Sequence, residues 1–193
     1  MFICFSGIDG CGKGTQKEFL ADYYRGLGNR VFLSKAYGDA EKECFSAFIE
    51  RWSQEAILFL FQALHTEQRK KAEQALQRGE IVIADRWDES YLAYHEAFGI
   101  LSMYPALRAR LNEIAFASMA PDVTFLIDLS EESARKRLQS RGMDFFDRLS
   151  ADYHRTMRRK YLELAKERNW IVIDGAKTPA DIRADVIAHL PSC

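Results

Sequence analysis

A glycine-rich stretch near the start of the chain, GIDGCGKGT at 7–15, constrains the fold more than any other feature. It follows an apolar run at 2–6 and precedes a segment at 16–27 with a helical pattern. A strand, a glycine-rich turn and a helix start are the context in which a G-x-x-x-x-G-K pattern forms a phosphate-binding loop. Backbone N–H groups turn towards an anion there, the helix N-terminus adds partial positive charge, and a lysine adds a full one. We therefore prefer a phosphate site to a plain connecting turn, and we expect it to comprise Gly7, Ile8, Asp9, Gly10, Cys11, Gly12, Lys13, Gly14 and Thr15.

Two further positions point to a metal ion beside this loop. The pattern usually continues with a Ser or Thr whose hydroxyl reaches Mg²⁺, but here Gly14 stands in that place and Thr15 follows, so we expect Thr15 to supply the hydroxyl. Asp85 comes after four apolar residues that indicate a strand, and a carboxylate at such a strand end can hold Mg²⁺ or its waters. Arg86, the next residue, can bind a phosphate through two hydrogen bonds. A surface Asp-Arg pair is the alternative, and the phosphate loop makes it the less favoured one.

Length, charge and cysteine content narrow the class of protein. The chain has 193 residues, about the length of one domain, and a formal net charge of −1. Without a basic field, nucleic acid is not expected as its main partner. Its four cysteines show no C-x-x-C spacing, which indicates reduced thiols. No signal-peptide pattern is present and no segment approaches the roughly 18 apolar residues of a membrane span, so we expect a cytoplasmic protein without membrane contact.

The order of apolar and helical segments predicts the fold class. Strands alternate with helices, which favours one α/β domain over 1–193, built as a doubly wound parallel sheet of five strands flanked by helices. Ligands in such sheets bind beyond the carboxyl ends of the strands, where Lys35, Asp85 and Arg86 are expected to meet the phosphate loop. The segment at 141–149 is expected to be a connection between helices. The predicted strands are 2–6, 30–34, 81–84, 122–129 and 170–174.

Several motifs together resemble those of the thymidylate kinases, a family of P-loop nucleoside monophosphate kinases. They are F-x-x-F-S-G-x-D-G-x-G-K-x-T-Q at 2–16, D-R-W-x-x-S-x-x-A-Y at 85–94 and P-D-x-T-x-x-x-D at 121–128. The similarity continues through Arg137, the Arg-Gly pair at 141–142, the Asp-Arg pair at 147–148 and Y-L-E-L at 161–164, so it spans nearly the whole chain. The resemblance implies a P-loop NTPase-type fold with a lid, and phosphorylation of dTMP to dTDP by ATP with Mg²⁺ in nucleotide biosynthesis.

The resemblance also implies roles for individual residues. Lys13 would hold the ATP phosphates, Thr15 and Asp85 the metal, and Asp9 would lie by the acceptor sugar and phosphates. The acceptor nucleotide would further be bound by Lys35, Phe59, Arg86, Ser90 and Tyr94, with Phe59 stacking on the base and Arg86 gripping the phosphate. A core position for Phe59 is the alternative.

The segment at 141–149 matches the lid of the family. The family places a basic residue either in the phosphate loop or in the lid, and this loop has no Arg, so the lid must supply it. Arg141 and Arg148 are the candidates, with Arg137 one helical turn earlier. An Arg that stabilises charge on the transferring phosphoryl group can be worth about 10³–10⁵ in rate.

Three departures from the family pattern leave the acceptor base open. Lys35 and the residues after it replace an Arg-Glu-Pro-Gly stretch, Ala63 stands where a base-reading Arg is expected, and Tyr91 replaces a small polar residue. A kinase for another deoxynucleotide or for a nucleoside, and a non-catalytic ATP-binding paralogue, are therefore alternatives. The resemblance also allows a homodimer, to which Trp52, Phe59 and Phe61 could contribute, or these residues could all be core.

Overall fold

A computed structural model describes residues 1–38, 41, 45, 48–49, 51–97, 105–141 and 146–191. Five parallel strands form one sheet in the order β2-β3-β1-β4-β5. The predicted α/β class with a five-stranded parallel sheet is therefore confirmed. The strands are β1 (Phe2–Ser6), β2 (Val31–Lys35), β3 (Ile81–Asp85), β4 (Val123–Asp128) and β5 (Ile171–Asp174).

Helices connect the strands and cover the sheet. The first of them begins at Lys13 rather than at 16, because Gly12 takes a left-handed conformation (φ +104°) and the lysine already belongs to the first helical turn. The helices are α1 (Lys13–Gly26), α2 (Gln54–Gln77), α3 (Asp88–Ala97), α4 (Pro105–Phe116), α5 (Glu131–Arg141), α6 (Ala151–Glu167) and α7 (Pro179–Ala188), with a short 3₁₀ turn at Phe146–Arg148. None of the helices in the described part of the chain combines the length and the apolar character needed to cross a membrane.

The central strand, β1, places the glycine-rich loop in the middle of the sheet. All five of its residues are buried, as expected for a short apolar strand covered on both faces. Phe5 pairs with Asp85 of β3 on one side and with Phe125 of β4 on the other. The carboxyl ends of these three strands therefore meet at one edge, directly below the loop at 7–12.

The core follows the alternation of side chains along the strands. Ile3 and Phe5 point into one apolar cluster, and Phe2 and Cys4 point into another on the opposite face. Cys4 and Cys11 are buried free thiols. A third, smaller cluster lies outside the sheet and comprises Phe45, Ile49 and Ile57 with partly buried Tyr37, Leu60, Phe61, Leu64, Tyr94 and Leu149.

Candidate active site

The phosphate loop is held tightly against the sheet. Gly7 has φ +137°, and a Cβ there would lie 2.6 Å from the carbonyl oxygen of Ile127 in β4, so only glycine fits. The amino end of α1 starts directly after Gly12, which directs the free N–H groups of its first turn towards the loop. The Nζ of Lys13 donates to the carbonyl oxygen of Ile8 (3.4 Å) and to Oδ1 of Asp9 (3.2 Å). The loop residues named from the sequence thus form one turn, with the side chain of Lys13 folded across it.

Asp9 joins three separate elements of the site. Its Oδ1 accepts hydrogen bonds from Lys13 and from Nη2 of Arg86 (2.9 Å), and its Oδ2 accepts one from the hydroxyl of Tyr94 (3.0 Å). Burial alone would raise the pKa of Asp9, but the charges and hydrogen bonds of Arg86 and Lys13 hold it well below its usual value. The carboxylate stays ionised and ties the loop to β3 and α3.

Arg86 is held by hydrogen bonds and by two aromatic rings around its guanidinium. Besides Asp9, its Nη1 bonds to Oγ of Ser90 (3.4 Å) and to the hydroxyl of Tyr161. The guanidinium carbon lies 5.4 Å from the ring centre of Tyr94 and 5.7 Å from that of Tyr161. The structure therefore brings together Asp9, Arg86, Ser90 and Tyr94, as the sequence predicted. Sequence reasoning missed Tyr161 as a site residue, although the Y-L-E-L motif that contains it is one of the family signals.

The two residues expected to serve a metal ion lie at the same edge of the sheet. Asp85 is the last residue of β3, and its Oδ1 is buried with no hydrogen-bond partner among the described residues. Thr15 is exposed in the first turn of α1. Lys35, the last residue of β2, pairs in register with Asp85, and its Nζ lies 5.8 Å from the ring centre of Tyr37.

Phe59 does not join this group. Its side chain is 58% exposed, whereas Phe61 packs against Tyr37, with ring centres 5.9 Å apart, and against the third apolar cluster. Two residues along an α-helix are about 200° apart around the axis, so Phe59 and Phe61 face opposite sides of α2. Ala63 is exposed on the same side as Phe59. The exposure of Phe59 contradicts the alternative of a core residue, and its stacking on the base stays a prediction.

Tyr91, which departs from the family pattern, is a core residue. It is 1% exposed and its ring contacts those of His65 and Phe116 in the core on one face of the sheet. The bulk of this residue is therefore accommodated by packing in the core.

The lid is only partly within the described residues. Arg141 ends α5, and its side chain lies outside them, as do residues 142–145. Arg148 is exposed at the end of the 3₁₀ turn. Arg137 donates to the carbonyl oxygens of Cys11 (3.3 Å) and Gly175 (2.9 Å), so it links the phosphate loop to the segment after β5. The sequence alone indicated Arg137 only as an addition to the lid arginines.

The chain is similar over nearly its whole length to known proteins. The family model described as thymidylate kinase matches residues 5–186. Thymidylate kinase from Dinoroseobacter shibae is 34% identical over 97% of this chain and 95% of that protein. Thymidylate kinases from Thermoanaerobacter sp. (32%; 96% and 95% covered) and Thermosipho africanus (30%; 100% of both chains) are similar over the same length. The resemblance seen in the motifs therefore extends over the whole chain, which belongs to the thymidylate kinase family.

Proposed function

We propose that this chain transfers the γ-phosphoryl group of ATP to dTMP, giving dTDP. Membership of the family supports the reaction, and one observation on the site carries it. Two cations from different elements, Lys13 of the loop and Arg86 after β3, converge on the single carboxylate of Asp9. Phosphoryl transfer is catalysed mainly by positioning and by positive charge around the transferring group. Such a transfer requires one cation for the donor phosphates and another, a few ångströms away, for the acceptor phosphate.

We assign the following roles in phosphoryl transfer to individual residues. Lys13 and the N–H groups of the loop hold the donor phosphates, and Arg86 binds the acceptor phosphate. Asp9 stays ionised and orients both cations, while Tyr94 packs beside the acceptor sugar. Arg148 and Arg141 of the lid would add charge over the transferring group. We regard residues 1–193 as one kinase domain with its lid at about 141–149.

Mg²⁺ fits the donor set at the edge of the sheet. Mg²⁺ is usually held by one or two carboxylates and by substrate phosphates, rather than by an all-protein cage. The buried Oδ1 of Asp85, which accepts no hydrogen bond from the described part of the chain, is a suitable oxygen, and the hydroxyl of Thr15 is accessible in the first turn of α1. When bound, the ion neutralises charge on the phosphates.

The base is expected to be read by stacking and shape. Phe61 and Tyr37 form an aromatic wall near Tyr94, whereas the residue four positions after Phe61 is His65 rather than an Arg. Burial lowers the pKa of His65 to about 4, so its ring is neutral. Discrimination without charged donors reaches only about 10–200-fold per methyl-sized difference. We infer that dTMP is preferred over dUMP within that range.

A coupled ADP-release assay with ATP and Mg²⁺ tests the proposal, with dTMP, dUMP, dCMP, dGMP and UMP compared side by side. The expected result is the highest kcat/KM for dTMP, with dUMP next. Lys13→Ala should fold normally and lose most turnover. Activity on another nucleotide but on no pyrimidine deoxynucleotide would overturn the acceptor, and undiminished turnover in Lys13→Ala would overturn the role of the loop.

Exposed aromatic side chains support a contact between two copies of the chain. Phe48 and Trp52 are stacked with ring centres 5.0 Å apart, and both are exposed, as is Phe59. We infer a homodimer that covers them, which light scattering on the purified protein would detect. Trp52→Glu should then shift the mass to that of a monomer.

A further inference from the structure

We propose that Gln68, on the buried side of α2, is a positioning residue for phosphoryl transfer that aims the guanidinium of Arg86 by holding its backbone. The inference rests on the proposed function of Arg86 and adds a residue that no motif in the sequence indicates. Gln68 lies 18 residues before Arg86, and its Nε2 donates to the carbonyl oxygen of Arg86 at 3.1 Å.

The backbone of Arg86 needs such support because its conformation is unusual. Its φ is +69°, in the left-handed region that residues with a Cβ rarely adopt unless their surroundings impose it. Its N–H donates to the carbonyl oxygen of Phe5 in β1 (3.0 Å), and the next N–H, of Trp87, donates to the carboxyl oxygens of Glu89 (3.0 and 2.9 Å). The carbonyl oxygen of Arg86 lies between these two anchors. Gln68 completes the set of backbone bonds around the turn.

The amide of Gln68 has one orientation. The residue is 2% exposed, and its Oε1 lies 3.1 Å from Nδ1 of His65. Because burial keeps His65 neutral, the ring can donate through a protonated Nδ1 to Oε1, which leaves the NH₂ group of Gln68 facing Arg86. Rotating the amide would place its oxygen against the carbonyl oxygen of Arg86, which can only accept, and would break that hydrogen bond. The series of hydrogen bonds from His65 through Gln68 to Arg86 therefore couples the position of α2 to that of Arg86.

Small errors in the direction of the Arg86 backbone are magnified at the guanidinium, which lies at the end of a long side chain. A misplacement of about 1 Å in a catalytic group can cost about 10²-fold in rate. A residue that only stabilised the core would lower the melting temperature and leave the rate of the folded protein unchanged. A loss of kcat in a variant that stays folded therefore distinguishes a positioning role from a packing role.

Gln62 provides a matched control on the same helix. It is 8% exposed, and its Nε2 also donates to a backbone carbonyl oxygen, that of Leu111 in α4. Gln62→Met and Gln68→Met each remove one buried hydrogen bond to the backbone while keeping the shape of the side chain. Gln68→Met also removes the bond to His65, so we expect both variants to lose thermal stability and Gln68→Met to lose more. At a temperature where both variants are folded, only Gln68→Met should lower kcat, by about 10- to 100-fold, with a smaller change in the KM for ATP.

A double variant tests whether the effect passes through Arg86. In an Arg86→Ala background, adding Gln68→Met should cause no further loss of kcat, because the group that it aims is gone. A second, multiplicative loss would overturn the proposal, as would equal kcat values for Gln62→Met and Gln68→Met. If Gln68→Met does not fold, Gln68→Asn, which keeps the amide but shortens its reach, gives the same comparison.

A readout independent of turnover separates this proposal from the assignment of the reaction. The side-chain N–H signals of Arg86, recorded by NMR, should be slowly exchanging in the parent protein and in Gln62→Met, and should broaden or exchange faster in Gln68→Met. Unchanged signals in Gln68→Met would refute positioning whichever nucleotide the protein phosphorylates. Absence of kinase activity in the parent protein would instead count against the proposed function.

Discussion

Glu89 gives the protein a pH-dependent stability that one substitution should remove. It lies in the first turn of α3, is 1% exposed, and accepts the N–H of Trp87 with both carboxyl oxygens. Burial, together with the neighbouring charge of Asp88, raises the pKa of Glu89 from 4.5 to about 7. Between these two values the folded protein holds a proton that the unfolded chain releases. Folding is therefore favoured fully below the unfolded pKa, and this contribution is lost as the pH rises through about 7.

The gap between the two pKa values corresponds to a free energy of about 3 kcal/mol. The amide that replaces the carboxyl group in Glu89→Gln carries no proton to release, yet it can still accept from Trp87 through its one oxygen. The variant should therefore come close to the parent protein near pH 5 and exceed its free energy of unfolding by up to about 3 kcal/mol near pH 8.

Urea unfolding of both proteins between about pH 5 and about pH 8 measures this difference. Glu18→Gln, at an exposed carboxylate on α1, is the control and should leave the pH dependence unchanged. Curves of unfolding free energy against pH that stay parallel for the parent protein and Glu89→Gln would refute the reasoning, since they would show that Glu89 does not titrate in this range.

Three further predictions concern the loop, the base and the lid. In thermal unfolding, Gly14→Ala should raise the free energy of unfolding by about 0.5–1 kcal/mol, because its Cβ would meet open space. Gly7→Ala should lower it by more than about 1 kcal/mol, because its Cβ would meet the backbone of β4. Equal effects of the two substitutions would contradict the loop geometry. Phe61→Leu should raise the KM for dTMP roughly 2- to 10-fold through lost stacking, while Phe59→Leu should not, and the reverse order in steady-state kinetics would restore Phe59 to the base site. Arg148→Ala should lower kcat by up to about 10³-fold with a smaller change in the KM for ATP. Full kcat in single-turnover and steady-state measurements would show that Arg148 does not stabilise the transition state.

The sheet and the phosphate loop could be predicted from the sequence because their signals are local. A short apolar run followed by glycines and a lysine leaves few other structures open, and β1 and α1 appear where that pattern put them, within three residues. Contacts such as those of Asp9 with Arg86 and Tyr94 join residues 77 and 85 positions apart, so they had to be inferred from family motifs.

The side of α2 that faces the site could not be predicted in the same way. Phe59 and Phe61 are both apolar aromatics on one helix, and choosing between them depends on the rotation of the helix about its axis. That rotation is fixed by packing against other elements, including the apolar cluster that holds Phe61 and Leu64. The support of Arg86 by Gln68 was missed for a related reason, since a buried glutamine has no sequence signal that separates it from an exposed one.

The central position of β1 determines when the nucleotide site can form during protein synthesis. β1 lies between β3 and β4, which follow it in the sequence by about 80 and 120 residues. At about 5–20 residues per second, the ribosome takes on the order of 10 s to deliver both partner strands. Until then an apolar strand with two unpaired edges is exposed, and the phosphate loop has nothing to hold it. The glycine-rich loop is thus translated well before the strands that position it, and Phe2–Ser6 stays without its sheet partners during this interval.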